Sequence, residues 1–284
     1  MFWDVLLDTF LDCLKMLPFL LVAYFVIEYL ERTQSDRLEK LLAKGGRFGF
    51  IPGALLGLVP QCGFSGMAAD LYSSNVITVG TLAAVFIATS DEAIPLLVAN
   101  PDSWKSLLML LLMKLIFALL AGVIFDFVIA KAIPDKYKGG YRGKSTDIDC
   151  QDHDEHESLI VATLRHTAII MASVFVVLLI INLLTELVDA DKISVLFSVP
   201  EAGQILIAGL VGMIPNCASS ILITQLYAQG KLCFAAMFAG LSAGSGIGTL
   251  ILLRTEKNKR RAIGILALVY LYSVISALIL SLFI

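Results

Sequence analysis

Apolar runs recur along the whole chain, over 5–30, 48–59, 62–72, 76–99, 107–131, 159–187, 202–214, 217–228, 232–253 and 261–284. A helix needs about 20 apolar residues to cross a bilayer, so the longer runs predict transmembrane helices. Four runs are too short to span alone: 48–59, 62–72, 202–214 and 217–228. They form two pairs, each broken by a proline, Pro60 and Pro215. Proline removes a backbone donor and ends a helix. Each pair therefore predicts a broken helix or a re-entrant hairpin. Backbone opened at membrane depth is tolerated only where protein or a water-filled cavity surrounds it.

The two halves match without a gap when the sequence is offset by 155 residues. Gly57 then falls on Gly212, Pro60 on Pro215, Cys62 on Cys217, Ser65 on Ser220, Tyr72 on Tyr227 and Ser90 on Ser245, while Gln61 meets the like amide Asn216. The aligned P-[QN]-C points to an internal duplication. Loop charge gives its sense, because short loops rich in lysine and arginine face the cytoplasm. Loop 31–47 carries Arg32, Arg37, Lys40, Lys44 and Arg47, whereas its mate 186–201 has Lys192 alone. Loop 254–261 carries Arg254, Lys257, Lys259, Arg260 and Arg261, whereas its mate 100–106 has only Lys105. Equivalent loops thus face opposite sides, and the repeats are expected to be inverted. Re-entrant pairs, or five crossings per half, both give the required parity. The expected layout is a first repeat 1–131, a cytoplasmic linker 132–158 and a second repeat 159–284, with both termini outside.

Composition agrees with an all-α integral membrane protein. Of 284 residues 58% are hydrophobic and 16% charged, with a mean hydropathy of +0.86; soluble domains carry about a quarter charged residues. The start, MFWDVLLD, lacks the basic region and small-residue cleavage site of a signal peptide, so 5–30 reads as a first helix. A net charge of −3 says nothing about partners. The five cysteines, Cys13, Cys62, Cys150, Cys217 and Cys233, make no disulfide framework and no CxxC. Cys13 and Cys233 read as small apolar residues.

Inverted repeats with interrupted helices are the sequence sign of a secondary transporter whose substrate lies near the midplane. A helix restarting after Pro60 or Pro215 presents free N–H groups and a partial positive charge, which favours thiolate at Cys62 and Cys217. With Gln61, Asn216, Ser65, Ser219 and Ser220 these thiols form a candidate substrate site for a soft cation or a thiol-seeking metalloid; the other reading is close helix packing by small residues. Asp91 and Glu92, in ATSDEAIP, lie inside an apolar run where a carboxylate costs about 2.5–3.5 kcal/mol. They are candidates, with Ser90 and the equivalent Ser245, for cation binding or proton coupling. Their mate, AGSGIGT, has three glycines, Gly244, Gly246 and Gly248, that suit either an unwound segment or close packing. Lys15 and Lys114 need partners, for which Asp12, Asp91 or Glu92 would serve. In the linker, Cys150, His153 and His156 sit in an acidic tract that suits either a weaker metal site or a solvated linker. There is no Walker A sequence and no GxSxG or HExxH. An organic-anion transporter and a membrane-embedded enzyme are the alternative classes; nucleic acid is not an expected partner and no cofactor is called for.

The stretches VPQCGFSG and TSDEAIP, with the PNC echo at 215–217, resemble the bacterial family of ten-helix heavy-metal exporters. It is a distant cousin of the arsenic permeases, and some of its members are labelled manganese transporters. The resemblance runs over nearly the whole chain. It implies metal or metalloid efflux through a multi-pass inner-membrane protein. Apart from the resemblance, a proton or other ion gradient is the expected energy source, and homo-oligomer formation is left open. Cysteines suit an arsenic-like substrate and Asp91 with Glu92 suit manganese, so the ion stays open.

Overall fold

The computed structural model describes residues 48–60, 62–89, 93–99, 103–129, 199–215, 217–256 and 258–283, with scattered positions between 10 and 25 and between 160 and 179. Among the described residues every regular element is helical. They are α1 (Phe50–Gly57), α2 (Cys62–Ser73), α3 (Val79–Ala88), α4 (Ala93–Val98), α5 (Trp104–Val123, prolonged by a π-helical turn Ile124–Ile129), α6 (Glu201–Gly212), α7 (Cys217–Ala228), α8 (Phe234–Ala243), α9 (Ile247–Thr255) and α10 (Lys259–Ser281). Among the described residues four segments are long and apolar enough to cross a membrane: Val79–Val98, Trp104–Val128, Phe234–Thr255 and Lys259–Ser281. On α5 the stripe Leu108, Leu112, Ile116 and Leu120 is exposed while Leu107, Leu110, Ala118 and Ala121 are buried. That apolar outer face belongs in lipid, and the chain is a multi-pass membrane protein.

Local chemistry sets the helix ends. α1 stops at Gly57 and α6 at Gly212, each three residues ahead of its proline, whose ring also drives the preceding residue out of helical geometry. Thr78 caps α3, its hydroxyl accepting from Thr81 N at 3.1 Å. At the equivalent position Cys233 caps α8, its sulfur accepting from Ala236 N at 3.4 Å. Cys233 is therefore a half-buried cap rather than the apolar filler its setting suggested.

The 155-residue offset recurs in the elements themselves. Residues 57 and 212, 62 and 217, 73 and 228, 79 and 234, 88 and 243, and 104 and 259 are equivalent helix ends. Pairings recur as well. α1 packs on α3 as α6 does on α8, and α2 packs on α9 as α7 does on α4. Tyr272 donates its hydroxyl to Phe117 O at 2.8 Å, and these two residues are themselves equivalent. At the edge of the bundle Tyr227 donates to Ser106 at 2.6 Å, while its mate Tyr72 lies under the Arg261 guanidinium, 4.7 Å from ring centre; Ser106 and Arg261 are again a matched pair.

Close contacts give helix directions. Gly53 faces Thr81 and Val85, and Gly57 faces Val85 and Ala88, so α1 and α3 run the same way. The short link 74–78 turns the chain back, which makes α1 and α2 an antiparallel pair. Likewise Gly240 abuts Ala208 and Gly212 abuts both Gly240 and Gly244, so α6 parallels α8. α2 parallels α9: Ser65 touches Gly248, Gly66 faces Ile251, and the hydroxyls of Ser73 and Thr255 lie 2.8 Å apart. α5 runs against α3, with Gly80 opposite Gly122 and Asp126 and Lys114 bonded to Thr89.

The π turn carries Asp126 to the start of α3. Its carboxylate accepts from Gly80 N at 2.8 Å and from the Thr78 hydroxyl at 2.7 Å. A carboxylate at a helix N-terminus satisfies orphan donors and meets the positive end of the dipole. Asp126→Ala is expected to cost about 1–3 kcal/mol, read as a lower midpoint in thermal unfolding of the purified protein, with Asp126→Asn losing less.

Candidate functional site

The helix interruptions of the two copies gather at one level. α3 ends at Ala88 and α4 begins at Ala93; α8 ends at Ala243 and α9 begins at Ile247. Between the latter, Gly246 adopts φ +51°, a left-handed conformation suited to glycine. A Cβ on Gly244 would lie 2.6 Å from Gly212 O, and one on Gly248 would lie 2.8 Å from both Ser65 Cβ and Ser65 O. Of the segment 243–249 only residues 244–246 are unwound, Ala243 ending α8 and Ile247 opening α9, and the glycines also serve close packing. α1 ends beside Ala88 and α6 beside Gly240, which sets the starts of α2 and α7 close by.

Lys114 reaches this level from α5. Its side chain is fully buried on α5. The ammonium donates to Thr89 O, just past the end of α3, and to Leu241 O in the last turn of α8 at 2.8 Å. The last carbonyls of a helix lack intrahelical donors and carry partial negative charge, so one cation stabilises two helix ends drawn from the two copies. Carboxylates seemed the natural partners for this lysine from sequence; the bonds described here go to main-chain carbonyls, and Asp12, Asp91 and Glu92 fall outside the described residues.

Hydroxyls surround the same level. Ser65 is fully buried. Ser245 and Thr249, both buried, share a hydrogen bond of 2.7 Å. Ser219 is buried and donates to Ile214 O at 3.2 Å, and Ser220 is half-buried, its carbonyl accepting from Thr224 at 2.7 Å. The Ser242 hydroxyl, buried one residue beyond Leu241, has no hydrogen-bond partner among the described residues, and nothing in its apolar surroundings marks it in sequence. Of the candidate residues, Ser65 is brought against the α9 start that follows Ser245, while Ser219 and Ser220 sit on α7, which packs on α4. Cys62 and Cys217 are placed as the first residues of α2 and α7. Gln61, Asn216, Ser90, Asp91, Glu92, Cys150, His153 and His156 lie outside the described residues, as do the side chains of Cys62 and Cys217. Among the described residues no three His, Cys, Asp or Glu side chains gather as a metal site.

A family model described as "Putative, 10TM heavy-metal exporter" matches residues 1–182 and 155–283. The chain belongs to this family. No curated protein matches it, and no solved structure does. The exporter family's description is that of a transporter rather than an enzyme. In this member of the exporter family, the interruptions offer hydroxyl and carbonyl oxygens, which suit hard cations, and helix starts led by cysteine, which suit soft ones.

Proposed function

We propose that the protein is a secondary transporter that exports a metal or metalloid ion across the bacterial inner membrane by alternating access between two inverted repeats. One observation carries this reading: the direction of the paired helices at the interruptions. α1 comes in beside α3 and α2 returns, so the first hairpin enters and leaves one face. α2 parallels α9, and α9 follows α8 across its interruption, so α8 and its companion α6 come from the other face. The second hairpin, α6–α7, then opens opposite to the first, as re-entrant hairpins of an inverted repeat do. Charge supports the same frame. The described residues next to the basic segments 31–47, 131–158 and 254–261 in sequence, namely the starts of α1 and α10 and the ends of α5 and α9, lie toward the face where α2 ends, and on the charge rule that face is taken as cytoplasmic in this reading.

In this reading Cys62, Cys217, Gln61 and Asn216 bind substrate together with Ser65, Ser219 and Ser220. Asp91 and Glu92, with Ser90 and Ser245, couple the cycle to protons or another cation. The test is flux in vesicles of the purified chain, with manganese, zinc and arsenite offered with and without a pH gradient. Accumulation of at least one of them, enhanced by the gradient, is expected. A wild-type protein that moves none of the three loses this reading. The two helix starts of α2 and α7 would also suit an anion; transport of an organic anion that competes with no metal and resists thiol reagents is the result that would select this second reading.

A further inference from the structure

The Lys114 contact breaks the symmetry of the two copies. The 155-residue offset puts Val269 at the place of Lys114 and Phe86 at that of Leu241. Val269 is buried in the same apolar cluster as Phe86. A charged hydrogen bond on one side of the pair is therefore bare packing on the other. Elsewhere the match is closer, since Tyr72 and Tyr227 each find a polar partner.

We infer that Lys114 is a one-sided latch, a positioning residue that ties α5 of the first copy to α8 of the second and biases the protein toward the arrangement seen here. The inference rests on the alternating-access reading. Were the two copies identical, exchanging their conformations would give a second arrangement of equal free energy. Any bias must come from residues that differ at equivalent places, because only a differential interaction shifts a two-state equilibrium. A charge-assisted bond away from water is among the strongest differences available. In the exchanged arrangement the equivalent contact belongs to Val269, which has no donor, so that arrangement lacks the tie.

Hydrogen–deuterium exchange of the full chain in nanodiscs tests this without a known substrate. The comparison is between the equivalent peptides 66–78 and 221–233, one on each hairpin. Lys114→Met is expected to change the ratio of their exchange rates roughly tenfold, raising exchange in the better-protected peptide and lowering it in the other. Lys114→Arg, which keeps charge and donors, should recover most of the wild-type ratio. The double variant Lys114→Val with Val269→Lys moves the latch to the other copy and should carry the ratio past equality. If Lys114→Met yields no folded protein, Lys114→Gln is read by the same ratio. An unchanged ratio overturns the latch, and so does a rise in both peptides together, which a merely structural lysine would give. Flux measured in parallel separates the two levels: intact transport with no opposed shift overturns the latch alone, whereas opposed shifts in a protein that transports nothing support the latch and sink the transport reading.

Discussion

Gly212→Val is expected to remove folded protein from the membrane. A Cβ at residue 212 would clash with Gly240 O, a main-chain atom of α8, and lie 2.7 Å from Gly240 C. Backbone cannot step aside as a flexible side-chain tip can, and α6 and α8 would have to separate along their whole crossing. Overpacking of an ordinary core site already costs about 1–3 kcal/mol, and a loss beyond that range consumes much of a typical stability of about 5–15 kcal/mol. Gly57→Val makes the same test on the first copy, where the new Cβ would lie 2.7 Å from Ala88 Cβ and 2.8 Å from Val85 O. Gly264→Val is the control, because a Cβ there meets nothing within 4 Å. The measurement is the monodisperse fraction after extraction in mild detergent. Normal yield of the Gly212 and Gly57 variants would show that these crossings are looser than their contacts imply.

Cys62→Ala and Asp91→Asn are each expected to abolish metal resistance in cells while leaving the amount of membrane protein unchanged. Cys62 opens α2 at the level of the interruptions, where a helix start favours thiolate. Even partners that only support metal ligands are worth about 10–100-fold, so loss of a ligand should lower flux at least tenfold. Cys62→Ser divides the substrate classes: a hydroxyl can still serve a hard cation such as manganese, but it cannot replace sulfur for arsenite. Asp91→Asn keeps the shape and removes the charge, and its effect should fall on the gradient-driven component of flux. Resistance at the wild-type level in both variants would move substrate binding away from these positions.

Much of the architecture could be read before any coordinates. Pro60 and Pro215 mark the ends of α1 and α6, and the matched P-[QN]-C gives an offset that the helix ends then follow. What escaped was tertiary. The run 76–99 reads as one continuous span, yet α3 stops at Ala88, since hydropathy reports depth and not continuity. That Lys114 also bonds the carbonyls of Thr89 and Leu241 is not legible in a sequence, which cannot show that the ends of α3 and α8 meet beside it; the carboxylates expected as its partners lie outside the described residues. Asp126 is not among the residues singled out from sequence, because its bonds to Thr78 and Gly80 depend on a π turn that no periodicity predicts. Cys233 reads as apolar filler until α8 is seen to begin right after it. Of the residues expected to bind substrate, the structure places the serines and the two cysteine-led helix starts, while Gln61, Asn216, Asp91 and Glu92 stand on the sequence alone.

The pairing of α2 with α9 has a consequence for how the protein is made. Ser73 meets Thr255, 182 positions further on. At about 5–20 residues per second, the ribosome needs roughly 10–40 seconds to deliver that partner. Throughout that interval the side of α2 that packs on α9, at Ser65 and Gly66, has no partner to cover it. A nascent chain stalled before α9 emerges should be a ready target for membrane proteases, and two separately translated halves should rescue each other when produced in the same cell.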